Sequence, residues 1–278
     1  MITIGLTGWG DHPLLGTNKK TKLEDYTRHF PFVEMDTIFY AIPPEKNIQS
    51  WLNKTPETFQ FIPKAYQSMT QHKNWLEDFP SEAAMFHAFL ARFEPMLEQG
   101  RIKAFLFQFP PYFGCTKENV AYLRNVRKWM EDAPIAIEFR NASWYSEQNK
   151  EGTLTLLKEN QFIHTVVDQP QTPHNSVPFT PVATNSHLTL LRLHGRNYHG
   201  WQGENVKNWR TERTLYDYSS EELEYFAETI RELEKETDEV AVIFNNNSGG
   251  HAAKNAKTLQ DILGISFSGL APKQLDLF

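Results

Sequence analysis

Val240-Ala-Val-Ile-Phe244 is followed by Asn245-Asn-Asn-Ser-Gly-Gly-His251 and then by a helical pattern from Ala252 to Leu263 that stops at Gly264. A strand covered on only one face alternates apolar and polar residues. An unbroken apolar run of this length marks a strand covered on both faces, as in a parallel sheet flanked by helices. Seven further runs have the same length and composition: Ile2 to Thr7, Phe32 to Asp36, Phe59 to Pro63, Lys103 to Phe109, Ile135 to Phe139, Ile163 to Asp168 and Leu188 to His194.

Helical patterns separate most of these runs. Ser81 to Gln99 places Phe86, Phe89, Leu90, Phe93 and Leu97 at three-and-four spacing, with Ser81 able to cap the start and Gly100 able to end it. Lys117 to Met130 follows the N-cap candidate Thr116, and Glu221 to Glu236 follows Ser219-Ser220. Strand and helix alternating in this way imply a parallel sheet. An open doubly wound sheet is the rival, but eight strands in 278 residues favour closure into a single-domain α/β fold, a TIM-type (β/α)8 barrel. The expected division is a barrel over residues 1–270 and a tail over 271–278. Gln169 to Ser186 holds four prolines and is expected to loop over the barrel mouth, and Asn197 to Tyr218 reads as a polar, aromatic insertion.

Composition narrows the function. The net charge of −6 argues against broad electrostatic capture of nucleic acid or an anionic membrane, although it leaves room for a local basic site. The single cysteine, Cys115, can form neither an intramolecular disulfide nor a cysteine-based zinc cluster. The N-terminal residues lack the basic and apolar regions of a signal peptide, and no run approaches eighteen apolar residues. A cytoplasmic location with no membrane contact is the expectation.

Residues two apart on a strand share a face, so the strand ends yield candidate site residues. They are Glu34, Asp36, Lys64, Gln108, Glu138, Arg140, Asp168, Arg192, His194 and Asn245. Glu34/Asp36, Glu138/Arg140 and Arg192/His194 are pairs at i, i+2. His194 is the acid/base candidate because an imidazole titrates near neutrality, with Glu34 and Glu138 as alternative bases. Arg140 and Arg192 suit bidentate capture of carboxylate or phosphate, and Lys64 supplies a point charge. Glu34, Asp36, Glu138, Asp168 and His194 offer oxygen-rich ligation for magnesium or manganese, although no His-x-His spacing supports it. In the Asn245 to His251 loop, Asn245, Gly249 and Gly250 are candidates for phosphate binding before a helix. Trp9, Phe39, Tyr40, Tyr112, Trp144 and Trp201 are expected around the same rim. A structural ion-pair network is the competing reading of the charged ring.

Several of these stretches together resemble the domain-of-unknown-function 72 (YecE-like) family. They are Gly8-Trp9, Glu34-Met-Asp-Thr-Ile-Phe-Tyr-Ala-Ile-Pro43, Phe59-Gln-Phe-Ile-Pro-Lys64, Phe107-Gln-Phe-Pro-Pro111, Ala136-Ile-Glu-Phe-Arg-Asn-Ala-Ser-Trp144, Arg192-Leu-His-Gly-Arg196, Tyr216-Asp-Tyr218, and Phe244-Asn-Asn246 with Gly250, Ala252 and Asn255-Ala256. The resemblance implies a TIM-type barrel and brings no established reaction. Asn245-Asn-Asn departs from it where many relatives are expected to carry a histidine. The segment Gln274-Leu275-Asp276-Leu277-Phe278 is similar to the peptide by which replication and repair proteins dock on the bacterial DNA polymerase sliding clamp. The leucines and phenylalanine would enter apolar pockets, and Gln274 would hydrogen-bond at one end. The expectation is an enzyme, a hydrolase or lyase, acting on a polar phosphate-bearing or nucleic-acid-derived substrate and recruited to the clamp for a role in DNA repair. The alternative is a non-catalytic ligand-binding or adaptor protein.

Overall fold

The computed structural model describes residues 1–15, 21–173, 176–201 and 208–272. Its eight strands are β1 (Ile2–Thr7), β2 (Phe32–Met35), β3 (Gln60–Pro63), β4 (Phe105–Gln108), β5 (Ile135–Glu138), β6 (Ile163–Asp168), β7 (Leu188–Leu193) and β8 (Glu239–Phe244). They form one parallel sheet in the order β3-β2-β1-β8-β7-β6-β5-β4. The two ends meet through parallel bridges Phe61 to Ile102 and Lys64 to Leu106, so the sheet closes into a barrel. Lys103 N donates to Phe61 O at 2.9 Å and Ala65 N to Leu106 O at 2.9 Å across that seam.

Alternation along the strands fills the interior. Phe32, Ile62, Leu106, Leu190 and Ile243 belong to a buried apolar cluster that is separate from the larger core between strands and helices. Gly5 makes room for Phe32, because a Cβ there would stand 2.6 Å from the Phe32 ring. At the amino end of the barrel, Lys103 Nζ bonds Glu239 Oε1 at 2.7 Å and lies 5.2 Å from the Phe32 ring centroid. The inward-facing positions at the carboxyl end are polar, and that end is the mouth.

The outer layer follows the sequence signals. Besides the single turn α1 (Leu23–Tyr26), it includes α2 (Glu45–Asn53), α3 (Glu82–Glu98), α4 (Lys117–Trp129) and α5 (Lys150–Glu159). Ser81 Oγ accepts from Ala84 N at 3.1 Å, and Thr116 Oγ1 from Asn119 N at 3.2 Å, as expected of N-caps. In the Asn197 to Tyr218 insertion lie two short helices, α6 (Tyr198–Trp201) and α7 (Trp209–Arg213). The helix α8 (Ser220–Leu233) opens with a Ser219/Glu222 capping box, and α9 (His251–Leu263) ends on Gly264 in the left-handed region. No helix among the described residues is long and apolar enough to cross a membrane.

One connection differs from expectation. The β6–β7 crossover contains no helix among its described residues, but it does not stay over the mouth. It descends the outside of β6. There His164 N donates to Thr184 Oγ1 at 3.0 Å, and Thr184 Oγ1 donates to Phe162 O at 2.8 Å. Pro178 and Pro181 each remove a backbone donor and disfavour a helix in this stretch, and the Thr184 side chain anchors it to β6 instead.

Candidate functional site at the barrel mouth

The centre of the mouth is Arg192, projecting inward from β7 with a side chain 1% exposed. Its Nε donates to Glu34 Oε2 at 2.8 Å and its Nη2 to Glu34 Oε1 at 2.6 Å, a bidentate pair across the barrel. Its Nη1 donates to Glu138 Oε2. The other Glu138 oxygen receives Arg140 Nη2 at 2.6 Å and Gln108 Nε2 at 2.7 Å. Five residues from β2, β4, β7 and the end of β5 are thus paired with one another. Burial pushes the Glu138 carboxyl up, but the Arg140 and Arg192 guanidiniums outweigh it and hold the group well below the usual carboxylate range.

His194 sits above this layer. Its Nε2 is 2.9 Å from Arg140 Nη2, and the Asn245 side-chain amide is 2.8 Å from its Nδ1. A guanidinium can only donate, so Nε2 accepts and Nδ1 carries the proton. The Asn245 amide, whose Nδ2 is the atom placed toward Nδ1, must then be turned to present its carbonyl oxygen there, an orientation assigned from this network. Burial and the positive charges of Arg140 and Arg192 depress the imidazole well below its ordinary value, so it is neutral at neutral pH. At the rim, Lys64 Nζ lies 3.3 Å from Asp36 Oδ1. Burial raises the half-buried Asp36 carboxyl, but Lys64 and Arg192 bring it below its ordinary value.

The insertion completes the wall. Trp201 is buried with the Arg213 guanidinium 3.8 Å from its ring centroid and that of Arg140 at 5.1 Å. Burial and the Arg140 charge push Arg213 down to about 9, and no carboxylate among the described residues forms an ion pair with it. Two adjoining cavities of about 260 and 210 Å³ share Gln108, Arg140, Trp201, Trp209 and Arg213 in their walls. Lys64, Arg140, Arg192 and Arg213 face Glu34, Asp36 and Glu138, which leaves an excess of positive charge.

The fold therefore brings Glu34, Asp36, Lys64, Gln108, Glu138, Arg140, Arg192, His194 and Asn245 to one place. Asp168 stands apart. Both its oxygens are taken by Arg196, with Nε at 2.9 and 3.1 Å, and Tyr218 Oη donates to Oδ2 at 2.7 Å. The reason is register. Ile163 points inward, so Gln169 rather than Asp168 completes that face, and Gln169 Oε1 accepts from Arg140 Nη1 at 2.7 Å. Asp168 instead anchors the start of the insertion that carries Trp201 and Arg213.

Gly249 and Gly250 do not line either cavity. Both have positive φ, 72° and 75°, and a Cβ on Gly249 would lie 2.7 Å from the His251 ring, so the turn itself requires glycine. Trp144 is not on the rim. It is fully buried, with its ring 4.2 Å from that of Phe139 and its Nε1 donating to Phe113 O at 2.7 Å. Oxygen-rich metal ligation is not assembled, since no three His, Cys, Asp or Glu groups among the described residues converge. Glu34 and Glu138 are committed to guanidiniums, and Asp168 faces away. The Gln274 to Phe278 segment lies outside the described residues. His72, Trp209 and Arg213, which sequence reasoning did not select, also line the mouth.

The architecture defines the molecule as a (β/α)8 barrel with a polar, positively charged mouth at the carboxyl ends of its strands. The chain belongs to the DUF72 family, described as a protein of unknown function, whose family model matches residues 3–276. It is 50% identical to the UPF0759 protein YunF of Bacillus subtilis over all of both chains, and 27% identical to the UPF0759 protein YecE of Escherichia coli over 64% of this chain and 62% of that one. Crystal structures of DUF72 family proteins match as well. One from Enterococcus faecalis has a TM-score of 0.94 and 46% identity, covering 99% of this chain and 100% of that one. One from Thermotoga maritima has a TM-score of 0.80 and 30% identity, covering 95% and 100%.

Proposed function

We propose that the mouth binds a phosphate-bearing ligand with a flat ring, of the nucleotide type, and that the protein is an enzyme acting on it. The observation that carries this reading is that Arg140 and Arg213 both lie against the Trp201 ring and both line the same two cavities, with no carboxylate among the described residues paired to Arg213. Holding two guanidiniums this close costs electrostatic energy, and an anion between them removes that cost. Arg140 Nε is buried without a hydrogen-bond partner, a donor left for a ligand or water. Among the described residues, six of the eight exposed large apolar side chains, Leu14, Tyr40, Leu76, Tyr112, Tyr198 and Leu215, lie on connections that follow strand carboxyl ends, where a ligand's ring can rest, whereas Met1 and Tyr225 do not. Asp36, ionised and half-buried beside Lys64, is the candidate proton acceptor.

Calorimetric titration with inorganic pyrophosphate and a nucleoside diphosphate tests the binding. Arg213→Ala is expected to weaken both by about 10- to 100-fold, the equivalent of one charge-assisted contact. Unchanged affinity would remove the reading. A specific observation also favours a non-catalytic binder. Both oxygens of Glu34, both of Glu138 and both ring nitrogens of His194 are already occupied. Ligand binding without conversion of any member of a nucleotide and oligonucleotide panel would select that second reading. Conversion that Asp36→Asn abolishes would select the first.

Clamp docking through Gln274, Leu275, Asp276, Leu277 and Phe278 is a separate proposal that rests on the residues alone. Burial of three apolar anchors, less the cost of ordering the segment, points to roughly micromolar affinity. Deleting these five residues should abolish binding to the purified clamp and leave the melting temperature unchanged. A lowered melting temperature with no clamp binding in the full chain would mean that the segment packs on its own barrel.

A further inference from the structure

The mouth contains a second imidazole, and its placement differs from that of His194 in one respect. His72 follows the 3-10 turn Gln67–Thr70, where Gln71 at φ 61° reverses the chain. Its Nδ1 lies 2.8 Å from Thr70 Oγ1, and its ring meets Phe39 edge-on with centroids 4.9 Å apart. Tyr112 Oη holds the same turn by donating to Gln71 O at 2.6 Å. The ring is therefore fixed, Nε2 has no partner among the described residues, and the residue lines the cavity with Gln108, Arg140, Trp201 and Arg213. In His194 both ring nitrogens are spoken for.

The charged groups around His72 are Lys64 from the end of β3, Arg140 from the end of β5 and Arg213 from α7; the neighbouring Lys73 is paired with Asp78 at 2.8 Å. Burial first, then Lys64 and Arg140, push the imidazole down to about 4, so it is neutral in the free protein at neutral pH. These are also the cations that a phosphate group would neutralise.

We propose that His72 is a ligand contact coupled to proton uptake: its Nε2 bonds a phosphate oxygen, and one proton passes from solvent to the ring as the anion binds. The inference rests on the reading that the mouth takes a phosphate-bearing ligand. By linkage, a proton gained on binding makes affinity rise by up to about tenfold per unit fall in pH, within the window between the free and bound titration points of the ring. The ligand's own protonation contributes equally in wild type and variant, so the comparison isolates His72.

The experiment is calorimetric titration of pyrophosphate near pH 6.5 in buffers of different ionisation enthalpy, using the full chain, His72→Asn and His72→Gln. The wild type is expected to take up more protons per bound pyrophosphate than either variant, and to gain more affinity between pH 7.5 and 6. Equal proton uptake by all three proteins, with pyrophosphate still bound, would overturn the inference and leave the anion reading standing. Absence of binding to any of the three would overturn the anion reading and this inference with it. Melting temperatures within a degree or two of wild type confirm that the half-exposed turn tolerates both substitutions.

Discussion

Arg192→Ala is expected to lower the unfolding free energy by about 3–5 kcal/mol, the range for breaking a buried ion pair by removing one partner. The side chain is 1% exposed and makes three charged hydrogen bonds to two carboxylates that are themselves fully buried. Glu138 keeps Arg140 and Gln108 when Arg192 is lost. Glu34 keeps no cation on either oxygen and must take up a proton or admit water. The cost therefore comes from the abandoned acid rather than from the lost attraction, because desolvating the three charged groups already offsets much of that attraction. Urea unfolding measures it. Arg192→Met combined with Glu34→Gln should recover a large part of the loss, since it removes the stranded charge. A loss below about 1 kcal/mol for the single variant would mean that the central layer is hydrated and open.

Acid should destabilise the barrel through His164, at a point remote from the mouth. This residue is fully buried on the outer face of β6. Its Nδ1 donates to Val182 O at 2.9 Å, and its Nε2 accepts from Tyr145 Oη at 2.9 Å. Both ring nitrogens are satisfied only in the neutral form. Burial pushes the imidazole down to about 4. Between that value and the ordinary value near 6.5, the unfolded chain binds more protons than the folded one, so stability falls as pH falls. The contribution is complete above pH 6.5, and roughly 3 kcal/mol of it is lost by pH 4. Protonation should loosen the Val182–Thr184 strap first, because that strap lacks a helix of its own. Urea unfolding at pH 7, 6 and 5 should show a shallower pH slope for His164→Gln than for wild type. Parallel slopes would contradict the assignment.

Much of this was legible in the residues. Unbroken apolar runs such as Val240 to Phe244 marked a parallel sheet covered on both faces, and eight of them marked the barrel. Spacing of two brought Glu34 with Asp36, Glu138 with Arg140 and Arg192 with His194 to the mouth, the first of each pair by strand alternation and the second from just beyond the strand end. The same rule failed at Asp168, where one residue of register turns the side chain outward and puts Gln169 in its place. Arg213, Trp209 and His72 left no local signal. They reach the mouth through an insertion and a turn whose path depends on tertiary contacts, including the Arg196 grip on Asp168 and the Tyr112 bond to Gln71. Capping at Ser81, Thr116 and Ser219 was readable because it needs only neighbours in sequence. The helices α2 and α5 were harder to see, since each buries only a few side chains, such as Ile48 and Leu52 in the first.

The central claim is that an anion belongs between Arg140 and Arg213 at the carboxyl ends of the strands. A crystal structure of the protein grown with pyrophosphate tests it directly. The account predicts density for the anion within hydrogen-bond distance of both guanidiniums, with Trp201 and His72 at its edge. Density at the Gly249–Gly250 turn or on the outer helices, with the mouth filled only by water, would contradict it.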